Sequence, residues 1–281
     1  MLNCNGKILK DDSLLISPDN RSFRYGDGFF ETIKVISGKV LLADYHFERL
    51  FSSLELLKFE KPSYLTGDYL HKQILELVEK NDHSKTARVR LTFFRGNGGL
   101  YDPENHFPNY IIQSWGLENT MARLNENGLV TDIFPDAQKA CDRYANVKSN
   151  NYLSYAMAAL WAKEQKLNDA IILNSFGRVA DSTIANLFIV KDGIIKTPAL
   201  TEGCVAGVMR RYLLGCLKKE GIPFEETQIS VEDVLQASEL FLTNAIRGIV
   251  WVKQLRENTY QNKVASLLHK KFIYKFENST I

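Results

Sequence analysis

The sequence predicts an α+β protein of two domains, and three observations carry that reading. Many short β-rich runs are mixed with separate helical stretches, which favours segregated α+β layers over a doubly wound parallel sheet. Several of the runs are joined by tight turns containing glycine, the signature of antiparallel hairpins. Apolar patterning lapses once, across residues 117–127. The chain is therefore divided into a small α+β domain, 1–118, and a larger domain, 119–281.

The elements follow in order. FFETIKV and KVLLA flank Ser37-Gly38 and read as a hairpin. Residues 44–59 place Phe47, Leu50, Phe51, Leu54 and Leu57 on one helical stripe, and a second helix is expected across 69–79. ARVRLTFF alternates as a half-buried strand and ends in the glycine-rich RGNGGLYDP, after which NYIIQSW forms another strand. Past the boundary come a strand over 129–134, a polar stretch to 146 and a helix over about 151–166. AIILN, a turn at Ser175-Phe176-Gly177 and the Asp-Gly hairpin NLFIV–KDG–IIKTP come next. A helix over 207–219 leads to PFEETQI. A short helix over 231–236 precedes the strands ELFLTN and GIVWV, and the C-terminal segment is helical.

Composition narrows the function classes. A chain of 281 residues with 45% hydrophobic and 24% charged residues can bury a real core. A net charge of +2 offers no bulk attraction to nucleic acid or to an acidic membrane. No apolar run approaches a membrane span, and the N-terminus has no apolar leader, so a cytoplasmic protein is expected. The four cysteines lack Cys-x-x-Cys spacing and the five histidines lack ligand spacing, so no metal site is expected.

Several residues could carry chemistry, though each has a bland alternative. Lys148, just ahead of a helix, reads by itself as a solvated surface lysine. Arg49 sits on a helix flank suited to a salt bridge, and Asp181 suits a turn or N-cap. Gly207-Val208-Met209 open a helix whose N–H groups could hold an anion. RGNGG lacks the Lys-Ser/Thr ending of a phosphate loop. A lysine, an anion site, an acid for a ring nitrogen and a cationic pocket for a carboxylate together meet the demands of pyridoxal phosphate (PLP) chemistry.

Order along the chain is the stronger signal. YGDGFFETIKV, LLADYHFERL, NVKSNNYL, AIILNSFGRVADSTIANLFIV, TPALTEGCVAGVMR and FLTNAIRGIVWV occur in the sequence that resembles the class IV aminotransferase family. These are the fold-type IV PLP enzymes: branched-chain aminotransferases, D-amino-acid aminotransferases and aminodeoxychorismate lyases. The resemblance implies a two-domain, D-amino-acid aminotransferase-like fold, with the cofactor in a cleft between the small domain and the larger, PLP-binding one. It further implies that Lys148 carries PLP as a Schiff base. Arg49, the backbone of Gly207, Val208 and Met209, and the Asn244-Ala245 turn would hold the phosphate. Asp181 stands where the family usually has glutamate facing the pyridine nitrogen, and Tyr152 matches a tyrosine near the 3′-oxygen after a one-residue gap.

For the substrate, the resemblance points several ways. Leu100 occupies the loop position where D-specific enzymes and lyases carry arginine, and Phe30 stands where the D-specific enzymes prefer tyrosine. Arg90 falls where branched-chain enzymes place an arginine. Arg88 shares its strand face, and Arg247 is a further candidate carboxylate anchor. GVMR and TNAI look more like the lyases. The expected function is amino-group transfer between an amino acid and a 2-oxo acid by a homodimer, with the RGNGGLYDP loop reaching the partner's site. Pyruvate elimination from aminodeoxychorismate and a catalytically inactive binding protein of the same fold are the alternatives.

Overall fold

The computed structural model describes residues 1–13, 16–118 and 123–274. They fall into two compact units, and the short stretch Lys148–Asn151 belongs to the first despite its place in the chain. The boundary expected at 118/119 adjoins residues 119–122, which lie outside the described set, as does the C-terminal segment beyond 274.

The first unit contains β1 (Leu2–Cys4), β2 (Lys7–Leu9), β3 (Gly28–Ile36), β4 (Lys39–Val40), β5 (Thr86–Arg95) and β6 (Pro108–Gly116). Among the described residues these make a six-stranded sheet in the order β2-β1-β6-β5-β3-β4, all antiparallel. Ser37 and Gly38 turn the β3–β4 hairpin with φ of 47° and 74°, the left-handed pair that matches strand twist. Among the described residues three α-helices accompany the sheet: α1 (Arg21–Tyr25), α2 (Ala43–Leu56) and α3 (Gly67–Lys80). α2 buries Phe47, Leu50 and Leu54, and α3 buries Leu70, Ile74 and Leu77. Full burial of each leucine or isoleucine contributes roughly 1.5–3 kcal/mol. Asn20 caps α1 and the Thr66 hydroxyl caps α3 by accepting from Tyr69 N–H.

The second unit holds β7 (Leu129–Ile133), β8 (Asp169–Leu173), β9 (Val179–Ser182), β10 (Asn186–Lys191), β11 (Ile194–Pro198) and β12 (Phe224–Thr227). β13 (Glu239–Asn244), β14 (Gly248–Leu255) and β15 (Asn258–Thr259) complete its sheet. The order is β12-β11-β10-β13-β14-β7-β8-β9, with β15 pairing β14. Most pairs are antiparallel, but β7 lies parallel to both β8 and β14, and β11 to β12. The helices are α4 (Leu153–Glu164), α5 (Val208–Lys219), α6 (Val231–Leu235) and α7 (Lys263–Leu268). α4 packs Tyr155, Ala158 and Ala162 with Phe134, Ala170 and Ile172. A second core joins Leu187, Ile189, Leu240, Leu242 and Val252 from the middle strands. Ser230 and Asp233 close a reciprocal capping box on α6. No described helix is long and apolar enough to cross a membrane.

Sequence patterning missed β1, β2, α1, β9 and β15. β9 reads VADS and is buried throughout, so its polar residues disguise an interior strand.

Candidate active site

In the first unit, Lys148 is fixed by strand-like pairing to the start of β3. Phe30 N–H donates to Lys148 O at 2.9 Å, Asn150 N–H donates to Gly28 O at 2.9 Å, and Phe29 bridges Ser149. Gly28 makes the approach possible, because a Cβ there would collide with Phe93 O and Asn150 Nδ2. The Lys148 ammonium lies 4.7 Å from the centre of the buried Phe30 ring. Arg90 stacks its guanidinium 3.7 Å from the same ring centre and donates from Nε to Thr92 Oγ1 at 3.2 Å. The register explains this: Phe30 pairs with Thr92 and Thr32 with Arg90, so Phe30 and Arg90 are diagonal neighbours on one face. One aromatic ring thus gathers two of the five cationic side chains that sequence singled out, Lys148 and Arg90.

Arg88, two residues away, is exposed and stacks instead over Trp115 at 5.3 Å. Leu100 is 58% exposed, and its carbonyl accepts from Arg21. The structure therefore brings Arg90, but neither Arg88 nor Leu100, into contact with the ring that Lys148 touches.

Arg49 lies on α2 and faces Glu31, which turns to the other side of β3 from Phe30. Arg49 Nε donates to Glu31 Oε1 at 2.7 Å and its Nη2 donates to Oε2, while His46 Nδ1 lies 2.7 Å from Oε2. Burial by itself would raise the Glu31 carboxyl, but the Arg49 charge and the His46 and Arg49 bonds outweigh it and hold it at about 2. With Glu31 ionised, His46 donates its Nδ1 proton to it. Burial pushes the imidazole pKa below its usual range, and the Arg49 and Lys148 charges add to that against the pull of Glu31. Glu31 and His46 had not been singled out. An acid among the buried residues of GFFETIKVI, and a histidine three residues before Arg49 on one helix face, were the available signals.

In the second unit, Asp181 on β9 is buried and its carboxylate is bonded on both oxygens. Oδ2 accepts from Lys139 Nζ at 3.2 Å, Tyr155 OH at 2.9 Å and Val205 N–H at 2.8 Å; Oδ1 accepts from Asn186 Nδ2 at 2.8 Å. Tyr155 stacks on Tyr152 with ring centres 4.2 Å apart, and Tyr152 OH donates to Thr183 O. Burial, then the nearby Asp181, pushes the Tyr155 phenol well above its usual value, so it remains a neutral donor. The following turn is held by Asp169, which accepts from Thr183 N–H and Oγ1.

Gly207 adjoins this cluster. A Cβ at Gly207 would strike Asn186 Oδ1, so glycine alone fits at the head of α5. Gly207 caps α5 without a side chain, leaving the first-turn N–H groups of Val208 and Met209 available to a ligand oxygen. Asn186 pairs in register with Thr243, whose buried Oγ1 has no partner among the described residues. The next residue, Asn244, uses its Oδ1 to accept from the N–H groups of Ile246 and Arg247, which shapes the turn carrying Ala245. Asp181, Tyr152, Gly207 and the 243–247 turn are therefore drawn to one patch of this unit. Lys139, Tyr155, Asn186 and Thr243 escaped sequence reasoning because each acts through partners distant in the chain.

The family model for class IV amino-transferases matches residues 28–255. A putative branched-chain-amino-acid aminotransferase of Methanocaldococcus jannaschii is 30% identical over 283 residues, covering 98% of this chain and 94% of that protein. The aminodeoxychorismate lyase of Bacillus subtilis is 29% identical over 290 residues, covering 97% and 94%. The solved branched-chain aminotransferase of the archaeon Thermoproteus uzoniensis, with norvaline, matches the fold with a TM-score of 0.88 at 21% identity, covering 99% of this chain and 94% of that one. The architecture is that of the fold-type IV enzymes, and the chain belongs to the class IV aminotransferase family.

Proposed function

We infer that the protein is a PLP-dependent aminotransferase that moves an amino group between an amino acid and a 2-oxo acid. The observation that carries this reading is the Phe30 ring with the Lys148 amine 4.7 Å and the Arg90 guanidinium 3.7 Å from its centre. The residues fit a phosphorylated pyridine aldehyde. Val208 and Met209 offer N–H groups that no side chain caps, Thr243 has a buried hydroxyl with no partner among the described residues, and Asp181 Oδ1 accepts only one described bond.

Lys148 would hold PLP covalently through its amine. Arg49, the α5 N-terminus and the Asn244-Ala245 turn would hold the phosphate, and Asp181 would keep a proton on the ring nitrogen. Bound there, the ring supplies a sink for negative charge developing at the substrate α-carbon. The amine of Lys148 would take the α-proton as a general base. Arg90 would grip the substrate carboxylate with parallel N–H donors, which fixes the α-carbon against that base.

The exposed stripe Leu153, Met157 and Leu160 on α4, at helical spacing, supports a second copy covering it in a homodimer. The four unpaired cysteines suit a reducing cytoplasm. Pyruvate elimination from aminodeoxychorismate is the second reading, favoured by the likeness to the Bacillus subtilis lyase. The test offers the PLP-loaded protein a panel of amino acids with 2-oxo acids, and separately aminodeoxychorismate. New amino acid formed from the oxo acid supports transfer. Pyruvate from aminodeoxychorismate, with every amino acid untouched, replaces it with the lyase.

A further inference from the structure

We propose that Lys139 is a positioning residue for the cofactor ring: it supplies the countercharge that keeps Asp181 a carboxylate with one oxygen open to a ring N–H. The inference rests on the assignment of Asp181 to PLP. Lys139 lies in the polar segment after β7, yet its backbone is zipped to the end of β8: Lys139 N–H donates to Leu173 O at 2.9 Å and Ser175 N–H to Lys139 O at 3.0 Å. Its side chain is 9% exposed and passes the Tyr155 ring, with Nζ 5.0 Å from the ring centre. Nζ ends 3.2 Å from Asp181 Oδ2, with Ala145 O at 3.4 Å as a weaker acceptor.

Lone-pair arithmetic gives the arrangement its meaning. An ionised carboxylate accepts at about four positions, two on each oxygen. Among the described residues three donors crowd Oδ2, whereas Oδ1 takes Asn186 alone, so the remaining acceptor capacity is on Oδ1. The titratable groups facing Asp181 are Lys139, Tyr155 from α4 and the Cys204 thiol beside Val205. Burial raises both the phenol and the thiol, the latter to about 12 with Asp181 adding to it, so both are neutral. That leaves Lys139 as the cation bonded to Asp181 among the described residues. A buried acid deprived of its countercharge takes up a proton. A protonated Asp181 would have to place that proton on Oδ1, at the position a ring N–H needs.

The experiment compares Lys139→Met, Lys139→Arg and the double variant Lys139→Met/Asp181→Asn with wild type. In the apoprotein, Lys139→Met should bind one more proton when folded, so its melting temperature relative to wild type should rise as pH falls from about 8 to about 5. Lys139→Arg and the double variant should lose that slope. In the PLP-loaded protein, the pH midpoint of the cofactor's visible band should move by about one unit or more in Lys139→Met and return in Lys139→Arg. Parallel stability–pH curves for Lys139→Met and wild type would overturn the countercharge claim. A normal slope difference with an unmoved band midpoint would overturn the positioning role. A wild type that binds no PLP would fail the functional reading itself, and the apoprotein comparison would still stand.

Discussion

Two buried carboxylates, one in each unit, are handled in opposite ways. Glu31 meets a guanidinium edge-on, so both of its oxygens are taken by Arg49 and one is shared with His46. Asp181 meets a lysine ammonium at one oxygen only, and neutral donors complete its shell while Oδ1 retains capacity. A planar fork saturates a carboxylate, while a point charge neutralises it without covering it. The first arrangement fixes the orientation of Arg49; the second keeps an acceptor available. Charge burial saturates the carboxylate in one place and leaves it acceptor capacity in the other.

The comparison breaks most visibly at a residue in neither cluster. Lys148→Ala should lower turnover by roughly 10²–10⁴-fold or more and abolish the visible PLP band, with the apoprotein melting temperature nearly unchanged. Stopped assays and absorbance spectra on the purified variant check this, and borohydride reduction that labels another lysine would remove Lys148 from the proposal.

Glu31→Gln should be the costliest change for stability, by roughly 3–5 kcal/mol in denaturant melts of apoprotein, because Arg49 would lose the buried anion that faces it. The same residue predicts acid sensitivity. Its carboxyl titrates near 4.5 when unfolded and at about 2 when folded, so its stabilisation is complete above 4.5 and lost as pH falls towards 2. That component, on the order of 3 kcal/mol, should be missing from the acid limb of Glu31→Gln.

Arg90→Gln should weaken amino-acid substrate by roughly 2–5 kcal/mol, seen as a slower half-reaction at unchanged PLP affinity. Gly207→Ala should cost about 1–3 kcal/mol by overpacking against Asn186, and should loosen Asp181 with it. Arg88→Gln, exposed over Trp115, should change stability and rates by less than about 1 kcal/mol. Equal effects from Arg88 and Arg90 would place the carboxylate anchor elsewhere, with Arg247 next to be tested.

Much of this molecule was legible from local chemistry. Side-chain period, the Ser37-Gly38 and Asp192-Gly193 turns and the helix stripes foretold β3–β6, α2–α5 and the hairpin of β10 with β11. These depend on neighbours within a few residues, so the linear pattern carries them. The order of the family's blocks, recognisable without a structure, led to the class IV aminotransferases. Tertiary structure alone decided which residues meet. It seats Lys148–Asn151 against Gly28–Phe30, joins Glu31 to Arg49, and sends Lys139 to an aspartate 42 positions later. Such partners come together only when long loops close and apolar faces pack, and the energy of that closure is spread over the whole core. A lysine in PDAQKACDRYAN carries no local mark of burial, because its burial is a property of Tyr155 and Asp181 as much as its own.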